Sequence, residues 1–365
     1  MRSKVLIALM SAALAGTASS AAAARPQPQP HCGDVITHSV TLTQDLDCSL
    51  LVRGAALTVG ADGVTLDLGG HRLFGGFSGT GIAAAGFDDV VVRNGTIDDF
   101  GRDVVLTDVN GAQLRALAAE SADTALALTR VHDAQLASVR TRFVGERGLE
   151  LQESSGVRIA DSRIVGQTTG ASVVDSQDTV IVRTTISGED GLSLFDSDGS
   201  RIADSFLLGD FDAARVTGAD NELVRDEFIS AQLGFGRSLV LTGDRNVVRD
   251  GTFHPGFSPQ PEIDLVSGSG NVLRGNALPG PVGTDDPKDG ILVEAGALDT
   301  RLVENVVSGY TDDGIDVESA ATTLRGNVAN DNGDLGIEAV PGVQGHGNLA
   351  SGNGNPLQCT GVVCS

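Results

Sequence analysis

Residues 156–173 read GVRIADSRIVGQTTGASV, and residues 199–216 repeat the phrase as GSRIADSFLLGDFDAARV. Ile159 and Ile202 anchor the two copies, Asp161 and Asp204 occupy the same turn, and Ile164 and Leu207 stand five positions after the anchors. Further anchors fall at Leu68, Val92, Leu114, Leu136, Ile181, Leu223, Val248, Leu273, Leu302 and Leu324. Their spacing is 21–24 residues up to Leu223, 25–29 through Leu302, and 22 at the end. A fixed period of this length marks a stacked architecture, in which one repeat buries its apolar face only against its neighbours. Asn or Asp stands two or three places after many anchors (Asn94, Asp161, Asp204, Asp226, Asp250, Asn276, Asn305, Asn327). These residues tolerate left-handed backbone and cap turns with their own side chains.

A second short strand follows in each repeat, as in Gly148-Leu149-Glu150-Leu151 and Gly314-Ile315-Asp316-Val317. Its alternation sends two apolar side chains inward and one residue outward. About 22 residues cannot hold a strand, a helix and two loops, and no window sustains a helical period. The expected fold is therefore all-β, a coil of short parallel strands wound about 12 times. Residues 64–340 would form the coils, 32–63 an N-terminal cap and 341–365 a C-terminal cap or tail.

The ends speak to location. Residues 1–24 have the form of a secretory signal, with Arg2 and Lys4 before an apolar run and Ala22-Ala23-Ala24 at its close. Residues 25–31 are a Pro-rich linker. The cysteines fall as two end pairs, Cys32 with Cys48 and Cys359 with Cys364, which in an exported chain reads as two local disulfides. Removing residues 1–24 moves the formal net charge from −23 to −25. So acidic a chain excludes nucleic acid as a partner, since phosphate binding needs a basic footprint. No later stretch is long and apolar enough for membrane insertion. The expectation is a monomer that is secreted, periplasmic or at the cell surface.

Three segments carry a resemblance: Cys32-Gly33-Asp34-Val35-Ile36, Val64-Thr65-Leu66-Asp67-Leu68-Gly69-Gly70-His71, and Gly352-Asn353-Gly354-Asn355-Pro356. With the repeats, they make the chain similar to the right-handed parallel β-helix proteins of the pectin-lyase-like superfamily, in particular a secreted bacterial group. The resemblance implies a right-handed single-stranded β-helix and a polysaccharide partner. Since the superfamily holds lyases, epimerases, glycosidases and non-catalytic surface proteins, it leaves the activity open.

Three repeats carry extra residues before the second strand, at 231–237, 254–261 and 279–289, and insertions in a solenoid emerge on one face. The strands beside them turn acidic outward at Asp264, Asp316 and Glu338, with Leu292 interrupting, and the turns add Asp285, Asp286, Asp289, Asp312, Asp313 and Asp334. Asp289, Asp313, Asp316 and Glu338 would suit calcium, which takes oxygen ligands; the same acids would equally serve as solvated surface. Lys288, the sole lysine after residue 24, and Tyr310, the sole tyrosine, fall in this zone. By repeat alignment Lys288 lies beside Asp312, one coil on. Some β-helix polysaccharide lyases use a lysine with calcium. The resemblance thus makes Lys288 a base, Tyr310 a proton donor, and Asp312, Asp313 and Asp316 the surrounding group. The rival expectation is a non-catalytic carbohydrate-binding or structural surface protein. Asp312-Asp313 with Gly345-His346-Gly347 also resembles the superfamily's glycosidases, whose Arg-Ile-Lys element has no counterpart here.

Overall fold

A computed structural model describes residues 29–51, 53–230, 236–256, 258–280 and 288–365. Residues 1–24, most of the Pro-rich linker, positions 231–235 and 281–287, and with them Asp285 and Asp286, lie outside the described residues.

The chain winds into a three-faced solenoid. The first face is a 14-stranded parallel sheet running from Asp34–Ile36 to Ile337–Ala339. The second face runs from Val40–Thr41 to Gln344–His346, the third from Leu46–Asp47 to Leu349–Ser351. These two faces are continuous where Val91–Asp98 and Gln113–Glu120 pass unbroken through the corner. About fourteen turns result rather than twelve, because Asp34–Ile36 already pairs with Ala55–Val59 as a coil of its own.

Register stacks like on like. On the first face Leu149, Ala171, Leu192, Ala214, Leu239, Ile263, Ile291, Ile315 and Ile337 form one inward column, and all are buried. Each large member is worth about 1.5–3 kcal/mol of burial, which no coil could collect alone. The anchors form the inward column of the second face, with one correction at its start. Val92 pairs with Leu66, not Leu68. Both leucines are buried, and the left-handed pair Gly69-Gly70 lengthens the next corner by two residues, returning Leu73 to register with Ile97.

The Asn and Asp positions divide into two structural sets. Two residues after an anchor the backbone is left-handed: Asn94, Ala116, Ser138, Asp161, Arg183, Asp204, Arg225, Asp250 and Glu304 all have φ between 46° and 59°. This is the corner between the second and third faces, and its side chains point to solvent, where Arg183 pairs with Asp161 and Arg225 with Asp204, each at 2.7 Å. Three residues after an anchor the side chain turns inward instead. Ser162, Thr184, Ser205 and Asp226, then Asn276, Asn305, Asn327 and Asn348, bind the backbone N–H of the coil before. The corner amides cannot reach a sheet partner, so these buried side chains supply the missing acceptors.

Asn305 shows what such a side chain carries. Its Oδ1 accepts from the N–H of Asn276 at 3.1 Å and from Nδ2 of Asn276 at 3.0 Å, while its own Nδ2 donates to Leu273 O and Asn327 Oδ1, both at 3.0 Å. Asn305→Leu keeps the size and strands these buried groups. A loss of at least about 1–3 kcal/mol is expected in urea unfolding, and a change within error would refute the ladder's role.

Both disulfides, Cys32–Cys48 and Cys359–Cys364, are present. The C-terminal one closes a tail that lies over the last coil, with Val362 packed on the core end and Cys359 bridged to Ile337.

Candidate functional site

The lengthened corners all join the third face to the first, at one edge of the 14-stranded sheet. Asp289, Asp312, Asp313 and Asp334 occupy this same corner in three consecutive coils, just before the strands that begin at Ile291, Ile315 and Ile337. Carboxylate oxygens of Asp289, Asp312 and Asp313 come within 4.8 Å of one another. Asp316 and Glu338 lie beside them as direct partners in adjacent strands, and Leu292 precedes Asp316 in the same column. The corner is knit through its backbone: the N–H of Asp313 donates to Asp289 Oδ1 at 3.0 Å, and that of Leu335 to Asp313 Oδ1 at 2.7 Å.

What sets these acids apart is their convergence without a counter-charge. Several acids elsewhere on the rod hold arginines: Asp108 with Arg130, Asp220 with Arg245, Asp264 with Arg237 at 2.8 Å. Among the described residues no cationic side chain forms an ion pair with Asp289, Asp312, Asp313, Asp316 or Glu338. Burial, and after it the charges of Asp312, Asp316 and Glu338, push Asp289 up to about 7. Burial, then the carboxyls of Glu338 and Asp289, raise Asp313 to about 8. Asp316 rises to about 6 through burial and Glu338, and Asp312 rises as well through burial and Asp334. Near neutral pH the cluster holds protons it would give up to a cation.

Lys288 and Tyr310 are placed differently. The backbone of Lys288 does adjoin Asp312, whose N–H donates to Lys288 O at 3.2 Å. Its side chain, however, turns inward and is buried, with Nζ 2.8 Å from Oε2 of the fully buried Glu262. Ser238 Oγ donates to the other oxygen of Glu262. Tyr310 is enclosed in the core, its hydroxyl unpartnered and raised well above its usual range by burial and by Glu262. The ammonium that the sequence groups with the outward acids is thus spent on an internal acid, and offers no base to a ligand on the outer surface. His346 lies on the second face in the column of Arg325, and His254 ends the strand Thr252–His254 of the third.

Glu262 and Ser238 are not among the residues the sequence singles out, yet a signal exists. Each precedes the first inward residue of its first-face strand, a place held elsewhere by Gly148, Gly170, Gly191, Gly290, Gly314 and Gly336. A Cβ at Gly290 would lie 2.3 Å from Val307 Cγ1, so the place is normally closed to side chains. A glutamate in a glycine column marks a corner opened by its inserted residues. Asp103 fills the same column near the other end, buried, with both carboxylate oxygens unpartnered.

Three strands per turn, all parallel and stacked in register, make this chain a right-handed parallel β-helix protein of the type its repeats resemble. Residues 58–232 match the family model described as periplasmic copper-binding protein (NosD). Among solved structures it is similar to the A-modules of two mannuronan C-5 epimerases of Azotobacter vinelandii. AlgE6 shares 12% identity over 86% of this chain and 91% of that one, with a TM-score of 0.54. AlgE4 shares 13% over 85% and 89%, with a TM-score of 0.53. A tailspike protein of E. coli bacteriophage HK620, in complex with a pentasaccharide, shares 11% over 89% and 73%, with a TM-score of 0.51. At these identities the likeness is one of fold. No curated protein matches the sequence significantly.

The donor set tests which ion the corner suits. The one group of ligand-type side chains among the described residues, Asp289, Asp312 and Asp313, offers oxygen only, and all four cysteines are in disulfides. Hard oxygen ligands favour calcium, whereas copper sites draw on histidine, cysteine and methionine.

Proposed function

We propose that the chain is an exported β-helix protein that engages acidic polysaccharide, extracellular or of the envelope, at the acid-bearing edge of its first face. Calcium would be held there by Asp289, Asp312 and Asp313, with Asp316 and Glu338 alongside. The observation that carries this reading is the convergence of three carboxylates with no cation of the protein's own. Three acids fall short of calcium's six to eight oxygens, so water and a sugar carboxylate would complete the shell and tie the glycan to the protein. The signal-like residues 1–24 and the two disulfides support export to an oxidising compartment. Proteins of the same fold that act on mannuronan or hold a pentasaccharide support the ligand class.

A catalytic reading, lyase or epimerase, stands second. The observation in its favour is Asp313, protonated at neutral pH beside Glu338 and so able to give a proton to a sugar. With the Lys288 ammonium internal, this reading must draw its base from Asp312, Asp316 or Glu338.

Incubation with polyuronates, with and without calcium, tests both. An increment of binding that calcium adds and that is lost in Asp312→Asn/Asp313→Asn is the expected result; affinity that calcium does not raise, or a calcium increment that survives in that variant, would overturn it. Ultraviolet-absorbing unsaturated ends, or deuterium uptake at the sugar C5 in heavy water, would establish catalysis.

A further inference from the structure

On the third face, far along the chain from the acidic corner, lies a groove of about 860 Å³ lined by Arg140, Arg142, Arg163, Arg183 and Phe143. Four guanidinium groups in one groove are unexpected in a chain with 48 acids and 25 basic residues. Two of them are pinned: Arg142 to Glu120 at 2.7 Å, and Arg183 to both oxygens of Asp161 at 2.7 and 2.9 Å. The other two are not. Arg140 and Arg163 are direct partners in adjacent strands, both exposed, and among the described residues neither has a carboxylate partner. Like charges set opposite each other on a sheet face destabilise it, and Arg140 faces Arg163 in this way, whereas the neighbouring corner column alternates in sign along Asp161, Arg183, Asp204 and Arg225. Beside them Phe143 holds a left-handed backbone position and is 71% exposed, and the Arg142 guanidinium sits 5.0 Å from its ring centroid. An aromatic side chain held clear of the core gains nothing for the fold.

We infer that this groove is a second binding site, for the acidic sugars of a glycan chain, distinct from the calcium-type corner and independent of calcium. Arg140 and Arg163 present two planar forks one strand spacing apart, about 4.8 Å, comparable to the length of one sugar unit. Each fork suits a carboxylate or sulfate in bidentate fashion. Phe143 supplies the apolar platform on which a pyranose ring lies, its face already fixed by Arg142. A glycan is favoured over nucleic acid because the whole-molecule charge of −23 repels a dense polyphosphate, and two free arginines make too small a basic footprint to overcome it.

The test is calorimetric titration of the full chain with a hexauronate in the presence of EDTA, which removes calcium from the acidic corner. The wild-type protein is expected to bind, more weakly as salt rises, and not to bind a neutral hexasaccharide. Arg140→Gln/Arg163→Gln should weaken binding about tenfold or more, from the loss of two charge-assisted contacts. Phe143→Ala, on an exposed position where folding is not at stake, should weaken it severalfold. Asp312→Asn/Asp313→Asn should leave this binding intact, which separates the site from the calcium reading: either can fail alone. Undiminished affinity in the arginine variant, no binding in EDTA, or tighter binding of a single-stranded oligonucleotide would each overturn the inference.

Discussion

With divalent cations removed, the Tm of this protein is expected to fall as pH rises from about 4 to about 8, and calcium is expected to restore it at the upper end. Asp316, Asp289 and Asp313 have folded-state values of about 6, 7 and 8, all above the unfolded value near 4. A raised acid binds its proton more tightly in the folded chain. Its contribution to stability is complete below pH 4 and is lost as pH climbs through the folded value. The paired surface acids have the opposite sign. Asp161, Asp204 and Asp220 are lowered by their arginines, so their contribution is lost only as pH falls below 4. The two effects occupy separate windows. Calcium at a hundred times its dissociation constant would add about 2.7 kcal/mol at pH 8. Asp313→Asn should raise the cation-free Tm at pH 8, flatten part of the slope and abolish the calcium increment. Asp226, which burial raises to about 7, supplies a background slope that the variant retains. A Tm indifferent to pH between 4 and 8, or a calcium increment that survives Asp313→Asn, would sink the site.

The second large effect concerns the interior. Lys288→Met is expected to cost about 3–5 kcal/mol, the loss seen when one partner of a buried ion pair is removed and the other is left without compensation. The Lys288 side chain is 1% exposed and that of Glu262 is fully buried, so water cannot take the place of the ammonium. Lys288→Met/Glu262→Gln should recover most of the loss. It leaves no charge behind and keeps an acceptor for the Ser238 hydroxyl. Chemical denaturation of wild type, single and double variants measures this directly. Equal losses in the single and double variants would show that the lysine acts through packing alone. If Lys288→Met instead left stability untouched while abolishing turnover of a polyuronate, the internal pairing would be irrelevant and the lysine a true base.

Much of the architecture could be read before any coordinates. The period of about 22 residues predicts vertical columns, and the columns are there: Asp316 opposite Glu338, Ile315 opposite Ile337. The left-handed corners are also legible, since Asn94, Asp161, Asp204 and Asp250 tolerate positive φ. The buried ladder of Asn276, Asn305, Asn327 and Asn348 is harder to see. One residue's displacement separates it from the exposed set, and asparagine serves both corners. Nothing in the sequence marks Phe143 and the arginines around it, because they lie inside ordinary repeats without an insertion.

Period and polarity alone determine the coil, its register and the order in which the acids follow one another, because both are local properties that each repeat imposes on the next. Which way Lys288 turns is decided only in three dimensions. A lengthened corner escapes the repeat's alternation, so its side chains follow whatever space and charge the neighbouring coils leave open. Here Glu262, standing where glycine otherwise closes the column, draws the ammonium inside and leaves Asp289, Asp312 and Asp313 facing out without a counter-ion.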